Sequence, residues 1–135
     1  MTVGTRVVHR SYVSFDHAHY AGNLVDGAFS LARFGDAATD LCILTDGDEG
    51  LFAGYDEVRF LAPVQAGDVL EIEAELVGAG TRSRRMRFTA TVVARGRPRA
   101  GRPGAAEPLQ PPILATTATG TVVVPAVPDT PESGP

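Results

Sequence analysis

Between Leu24 and Leu44 lies the one stretch of this chain with helical spacing, and it is apolar around most of its circumference. Leu24, Ala28, Leu31, Ala38 and Cys42 recur along one face, and Phe29, Phe34, Leu41 and Ile43 widen it. Asp26, Arg33, Asp36 and Asp40 cluster on the far side. Such a helix is expected to be largely enclosed, so the rest of the chain has to cover it. The rest reads as strand. Val69 to Val77 alternates, with Leu70, Ile72, Ala74 and Leu76 on one face and Glu71, Glu73 and Glu75 on the other. Arg84 to Ala94 sets Met86, Phe88, Ala90 and Val92 against Arg85, Arg87, Thr89 and Thr91. Arg6 to Phe15, Leu51 to Val64 and Ile113 to Val124 complete five strand-like segments. The expectation is an α+β domain: one long central helix wrapped by a bent antiparallel sheet whose last four strands form a meander. A doubly wound fold needs more helices between strands.

Length and composition agree with a single domain over residues 1–124. A chain of 135 residues that is 44% hydrophobic can bury a core without staples, and its single Cys excludes an internal disulfide framework. No apolar run approaches the ~18 residues that span a bilayer, and the first residues show no signal-peptide pattern, so a cytoplasmic protein is expected. Nine of the ten prolines fall within 95–112 and 125–135. The first stretch is expected to be a flexible loop between strands and the second a disordered tail.

The net charge of −4 hides an uneven distribution. The first 81 residues carry 13 acidic side chains and 4 Arg, whereas residues 82–102 carry 8 Arg and no acid. Clustered guanidinium groups suit phosphate. Nucleic acid is disfavoured, because the remainder is acidic and aromatic residues are sparse.

Chemistry-bearing residues gather in FDHAHYAGNLVDGAF, residues 15–29. A helix start offers unpaired N–H groups and partial positive charge, and Gly22 and Gly27 let a ligand approach that backbone. This suits a developing oxyanion such as a thioester enolate. An ordinary glycine turn with Asn23 or Asp26 as helix cap accounts for the same residues. His17 and His19 lack a third ligand, so no metal is expected, but either can serve as general base or donor. Asp36 is either paired with Arg33 or catalytic. Cys42 reads as core, Tyr55 as a half-buried sheet residue, and Asp48 and Glu49 as turn residues. In TRSRRMR, residues 81–87, Arg85 and Arg87 are expected to meet the glutamate row. Arg82, Ser83 and Arg84 are then left to receive a pantetheine arm and nucleotide phosphates.

VRFLAPVQAGD (Val58–Asp68), with the acidic strand and TRSRRM that follow, resembles the sheet half of hotdog-fold acyl-CoA thioesterases and lyases. HYAGNLVDGA (His19–Ala28), FGDAATDL (Phe34–Leu41) and DGDEGLFAGYD (Asp46–Asp56) are more discriminating. In order, they resemble the 3-aminobutyryl-CoA and β-alanyl-CoA ammonia lyases. The resemblance implies a hotdog protomer that joins its sheet to a second copy as a double-hotdog dimer or higher homo-oligomer, with acyl-CoA sites at the boundary. Related thioesterases place a polar residue before a Gly-Asn turn and an acid on the central helix. His19 and Asp36 occupy those places here, with His replacing the usual Asn.

The implied reaction is reversible loss of ammonia from a 3-aminoacyl-CoA. The carbonyl would sit against Asp26-Gly27, with His19 and Asp36 as acid and base and Asp26 as a third candidate. Asn23 would be a positioning donor. No metal or organic cofactor is needed, because the thioester acidifies its own α-carbon. A thioesterase, including one that adds an amine such as glycine to an unsaturated acyl thioester, and a non-catalytic binding module are the alternatives. The substrate is carried on CoA or on an acyl-carrier protein. If the Arg block holds phosphates, raising ionic strength should raise the KM for a CoA substrate and change kcat little, which steady-state kinetics at two salt concentrations would check.

Overall fold

A computed structural model describes residues 2–126. Strand β1 is Arg6–Tyr12, and a 3-10 turn at Phe15–His17 leads into β2, Ala18–Tyr20. A second turn, Ala21–Asn23, precedes β3 at Leu24–Val25, and helix α1 runs Gly27–Asp46. There follow β4 (Leu51–Phe60), β5 (Val64–Gln65), β6 (Val69–Ala79), β7 (Ser83–Gly96) and β8 (Ala106–Val123). The main sheet is antiparallel in the order β1-β6-β7-β8-β4. A small sheet, β2-β3-β5, sits beside the helix start.

The alternating residues act as their spacing predicts. Leu70, Ile72, Ala74 and Leu76 of β6 and Met86, Phe88, Ala90 and Val92 of β7 are buried with Phe34, Ala37, Ala38, Leu41 and Cys42 of α1 in one core. Phe34 stacks on Phe88 with ring centroids 5.2 Å apart. The outer sheet face is a charge ladder, in which Arg10 meets Glu71, Arg6 meets Glu73, Arg87 meets Glu75, and Arg85 meets Asp56. This is the expected helix-and-wrapping-sheet architecture.

Four expectations are corrected. Leu24 and Val25 are extended, paired with Gln65 and Val64, so the helix begins at Gly27. Its enclosure is one-sided: Ala28, Ala32, Asp36, Thr39, Asp40, Ile43 and Leu44 are exposed along the face away from the sheet. The last four strands are no simple meander, because β4 pairs with β8 and not with β6. Alternation specifies which face of a strand is buried and leaves its neighbour undetermined. Residues 95–112 are not loop throughout: β7 runs to Gly96 and β8 begins at Ala106, with Ala94 opposite Pro108, Arg95 opposite Glu107 and Gly96 opposite Ala106. β4 pairs with β8 only from Thr116 onward. Pro108, Pro111 and Pro112 therefore lie where that strand has an open side, which tolerates a missing N–H. Of the expected tail, Pro125 and Ala126 belong to no regular element, and 127–135 lies outside the described residues. Among the described residues no helix is long and apolar enough to cross a membrane.

Two buried ion pairs brace the ends. Asp68 is fully buried and accepts from Arg95 Nε at 2.8 Å, from a second Arg95 nitrogen at 2.9 Å and from the Gln65 N–H at 2.8 Å. This, with Gly67 at φ +92°, explains the AGD motif as a turn. Asp46, at the end of α1, takes a bidentate pair from Arg84, whose remaining nitrogen donates to the carbonyls of Gly80 and Ser83. Arg84 shares the parity of Met86 and Phe88 and so faces the helix, which corrects its assignment as a free phosphate ligand. Those hydrogen bonds hold the Asp46 carboxyl below its ordinary value. The folded carboxylate is the weaker base, so its contribution is complete above the unfolded value of about 4 and fades as pH falls through the lower folded value. Asp46→Ala should cost about 3–5 kcal/mol at neutral pH, since it strands a buried charge. Urea titrations at pH 7 and in the acid range should also show a shallower acid loss than in the parent.

Candidate active site at the helix start

Asp26 ends the extended segment with φ −72° and ψ 162°, and its side chain accepts from the Phe29 N–H at 3.3 Å. It is the helix cap. The N–H groups of Gly27 and Ala28, in the first turn, have no carbonyl four residues earlier within the helix to bond. Gly27 and Ala28 line an apolar cavity of about 550 Å³ whose walls include Tyr20, Leu24, Phe60, Pro63 and Val64. A Cβ at residue 27 would come within 2.3 Å and 2.5 Å of two Phe60 ring carbons, so glycine is what lets the ring stand this close to the helix start.

Two hydroxyls give this cavity its polar floor. Ser30 and Thr116 are buried, 3.5 Å apart, and both line it. The sequence reading missed them. Ser30 had a signal, since it lies one turn beyond Asp26 on the same face, whereas Thr116 is one of several threonines in β8 and carried none.

His19 lies on the adjoining flank, in a second cavity of about 400 Å³ with Asp16, His17, Phe29 and Arg33. Asp26 and Ala28 border both cavities. His19 Nδ1 is 3.8 Å from the free oxygen of Asp26, and its side chain is more than half exposed. Asp26 thus joins the cap, the open amides and an imidazole. Among the described residues, no group of three or more His, Cys, Asp or Glu side chains has the placement to hold a metal ion.

Asp36 stands apart. It is ten residues along α1 from Asp26, about 15 Å at 1.5 Å per residue, and lines neither cavity. It is exposed, with Arg33 3.5 Å away, as the alternative reading expected. Tyr55 donates to the Leu31 carbonyl at 2.5 Å, and burial, with a smaller effect of the Asp36 charge, pushes its hydroxyl up to about 12. It is therefore a neutral phenol at any working pH. Asn23 is accounted for by the turn: it has φ +62°, and its carbonyl accepts from the Ala66 N–H at 2.9 Å. Arg82 and Ser83 are exposed at the opposite end of the helix, near Asp46, Asp48 and Val124. One protomer therefore brings His19, Asp26 and Gly27 together and leaves Asp36, Arg82, Ser83 and Arg84 elsewhere.

A thioesterase superfamily model matches residues 23–99. The chain is 49% identical over 113 residues to a 3-aminobutyryl-CoA ammonia lyase of Acetoanaerobium sticklandii, covering 84% of this chain and 89% of that protein. It superposes on the β-alanyl-CoA:ammonia lyase of Clostridium propionicum with a TM-score of 0.84 at 38% identity, over 91% of this chain and 87% of the other. A hexameric thioesterase of Yersinia pestis shares the fold, with a TM-score of 0.72 at 21% identity over 96% and 93% of the two chains.

The cap separates structure from chemistry. Asp26→Ala should lower stability by about 1 kcal/mol, and Asp26→Asn, which keeps a capping oxygen, by no more than a few tenths. Thermal melts of the two variants check this.

Proposed function

We infer the activity from one premise: this chain belongs to the thioesterase superfamily, and within it to the group that holds the CoA ammonia lyases. It is an acyl-CoA-dependent carbon–nitrogen lyase that reversibly eliminates ammonia from a 3-aminoacyl-CoA to give the enoyl-CoA. The observation that carries the mechanism is the apolar cavity at the helix start, lined by Gly27 and Ala28, whose first-turn N–H groups have no partner within the helix.

The acyl group enters that cavity, and the thioester oxygen lies against those two amides. Removal of the α-proton moves charge onto the oxygen, where fixed donors in a dry site stabilise it. The electron pair returns to form the double bond, and the β-amino group leaves as ammonia after gaining a proton. His19, oriented by Asp26, is one proton-transfer group, and the Ser30 and Thr116 hydroxyls position the substrate. No metal or organic cofactor takes part, because the thioester supplies the acidity of the α-carbon.

Asp36 is the second proton-transfer group and comes from another copy of the chain. It stands about 15 Å along α1 from Asp26, the residue beside its own His19. The strand edge of β4 that faces away from β8 and the open stripe of α1, with Leu51, Phe60 and Ile43 exposed, offer a surface on which a second copy seats. The protein works as a homo-oligomer in the cytoplasm, on substrate carried by CoA or by an acyl-carrier protein. Hydrolysis is the second reading, favoured by the acidic residue on the central helix where the related thioesterases carry one.

Crotonyl-CoA with ammonium should give a β-amino adduct with the thioester intact, followed by mass spectrometry; release of free thiol in its place selects the thioesterase. His19→Ala and Asp36→Ala proteins should each be nearly inactive. Mixed and allowed to exchange subunits, they should recover about a quarter of the parent sites, since a two-fold pairing leaves one intact site per mixed dimer. No recovery would place both groups in one protomer.

A further inference from the structure

We propose that Arg99 and Arg102, at the tip of the β7–β8 hairpin, hold the nucleotide phosphates of the CoA thioester; this rests on the lyase reading above. Of the eight arginines in 82–102, five are tied in ion pairs: Arg84 to Asp46, Arg85 to Asp56, Arg87 to Glu75, Arg95 to Asp68 and Arg97 to Glu107. The block that looks continuous in the chain is therefore largely neutralised and split between the two ends of β7. Arg82 lies beside the end of α1, roughly 30 Å from the helix start at 1.5 Å per residue. That leaves Arg99 and Arg102.

These two are built as a pair. The Arg99 N–H donates to the Arg102 carbonyl at 3.1 Å, and the Arg102 N–H returns to the Arg99 carbonyl at 2.8 Å. They are thus directly opposite residues of a tight turn through Ala100 and Gly101, the latter at φ +77°. Such a pair has Cα atoms about 5.5 Å apart, and like charges there repel. Both side chains are exposed, and among the described residues neither has an acidic group within ion-pair distance. A phosphate between them replaces repulsion with forked, charge-assisted hydrogen bonds.

Their placement suits a ligand that starts in the cavity. At the hairpin root Arg97 N–H donates to the carbonyl of the buried Ala105 at 2.7 Å. Arg95 binds Asp68 and also donates to the Pro63 carbonyl at 3.2 Å, and Pro63 is in the cavity wall. The tip stands four residues beyond Arg95, about 13 Å at strand rise. A thioester whose acyl end lies in the cavity reaches the tip when its long arm follows this hairpin.

The test uses the full chain and an Arg99→Ala/Arg102→Ala double variant. Adenosine 3′,5′-bisphosphate, titrated calorimetrically, should bind the parent and bind the variant at least about tenfold more weakly. The KM for an acyl-CoA should rise by a similar factor relative to the KM for the matching acyl-pantetheine, which lacks the nucleotide. Equal bisphosphate binding by parent and variant overturns the proposal, and ammonia elimination from the acyl-CoA then shows that the lyase reading stands. If the parent eliminates no ammonia but the variant alone loses the bisphosphate, the reading fails and the hairpin site survives. Binding of an acidic carrier protein that depends on both arginines, without bisphosphate binding, overturns it in favour of a protein partner.

Discussion

A lone helix has to find all its apolar cover on one sheet, and the rest of this molecule follows from that demand. Phe34, Ala37, Ala38, Leu41 and Cys42 meet the even-numbered side chains of β6 and β7, and the Phe34–Phe88 stack lies at the centre. The sheet can turn only one face to the helix, so the opposite sheet face carries the charge ladder and the opposite helix face stays open. The hydrophobic gain is roughly proportional to the apolar area removed from water, and the exposed stripe of the helix is left for another use.

The two ends of that helix are treated differently. At its C-terminal end, Gly47 in the left-handed conformation closes the last turn, and Arg84 binds Asp46 so that both side chains are largely shielded from solvent. At its N-terminal end only one capping bond from Asp26 is made, and two amides remain open beside an apolar hollow. One end is therefore a brace and the other a site. The asymmetry arises from the neighbours: a buried guanidinium stands at one end, and at the other a glycine admits the Phe60 ring close to the backbone.

Charge is sorted by the same geometry. Arginines that follow one another in the chain reach different surroundings, because successive residues of a strand point to opposite faces. Arg84 goes to the helix side and Arg85 and Arg87 to the ladder, while Arg95 locks the AGD turn. An apparent cationic patch of eight side chains becomes five structural pairs, one exposed charge beside the end of α1 and two at a hairpin tip. Proline misleads in a similar way. Within 95–112 it reads as a breaker of order, but Pro108, Pro111 and Pro112 sit within β8, where that strand has an open side.

What the amino-acid sequence determined alone is what periodicity and local chemistry encode. The period of two in β6 and β7 placed Leu70, Ile72, Met86 and Phe88 inside. The helical period identified α1, TDGDEG ended it, and three motifs in order pointed to the ammonia-lyase group. Parity would also have put Arg84 beside the helix. Only the tertiary structure decided which strand lies beside which and that Ser30 and Thr116 meet across 86 residues. These are contacts between segments far apart in the chain. Local spacing carries the direction a side chain points, but the partner it finds there depends on how the whole sheet closes around the helix.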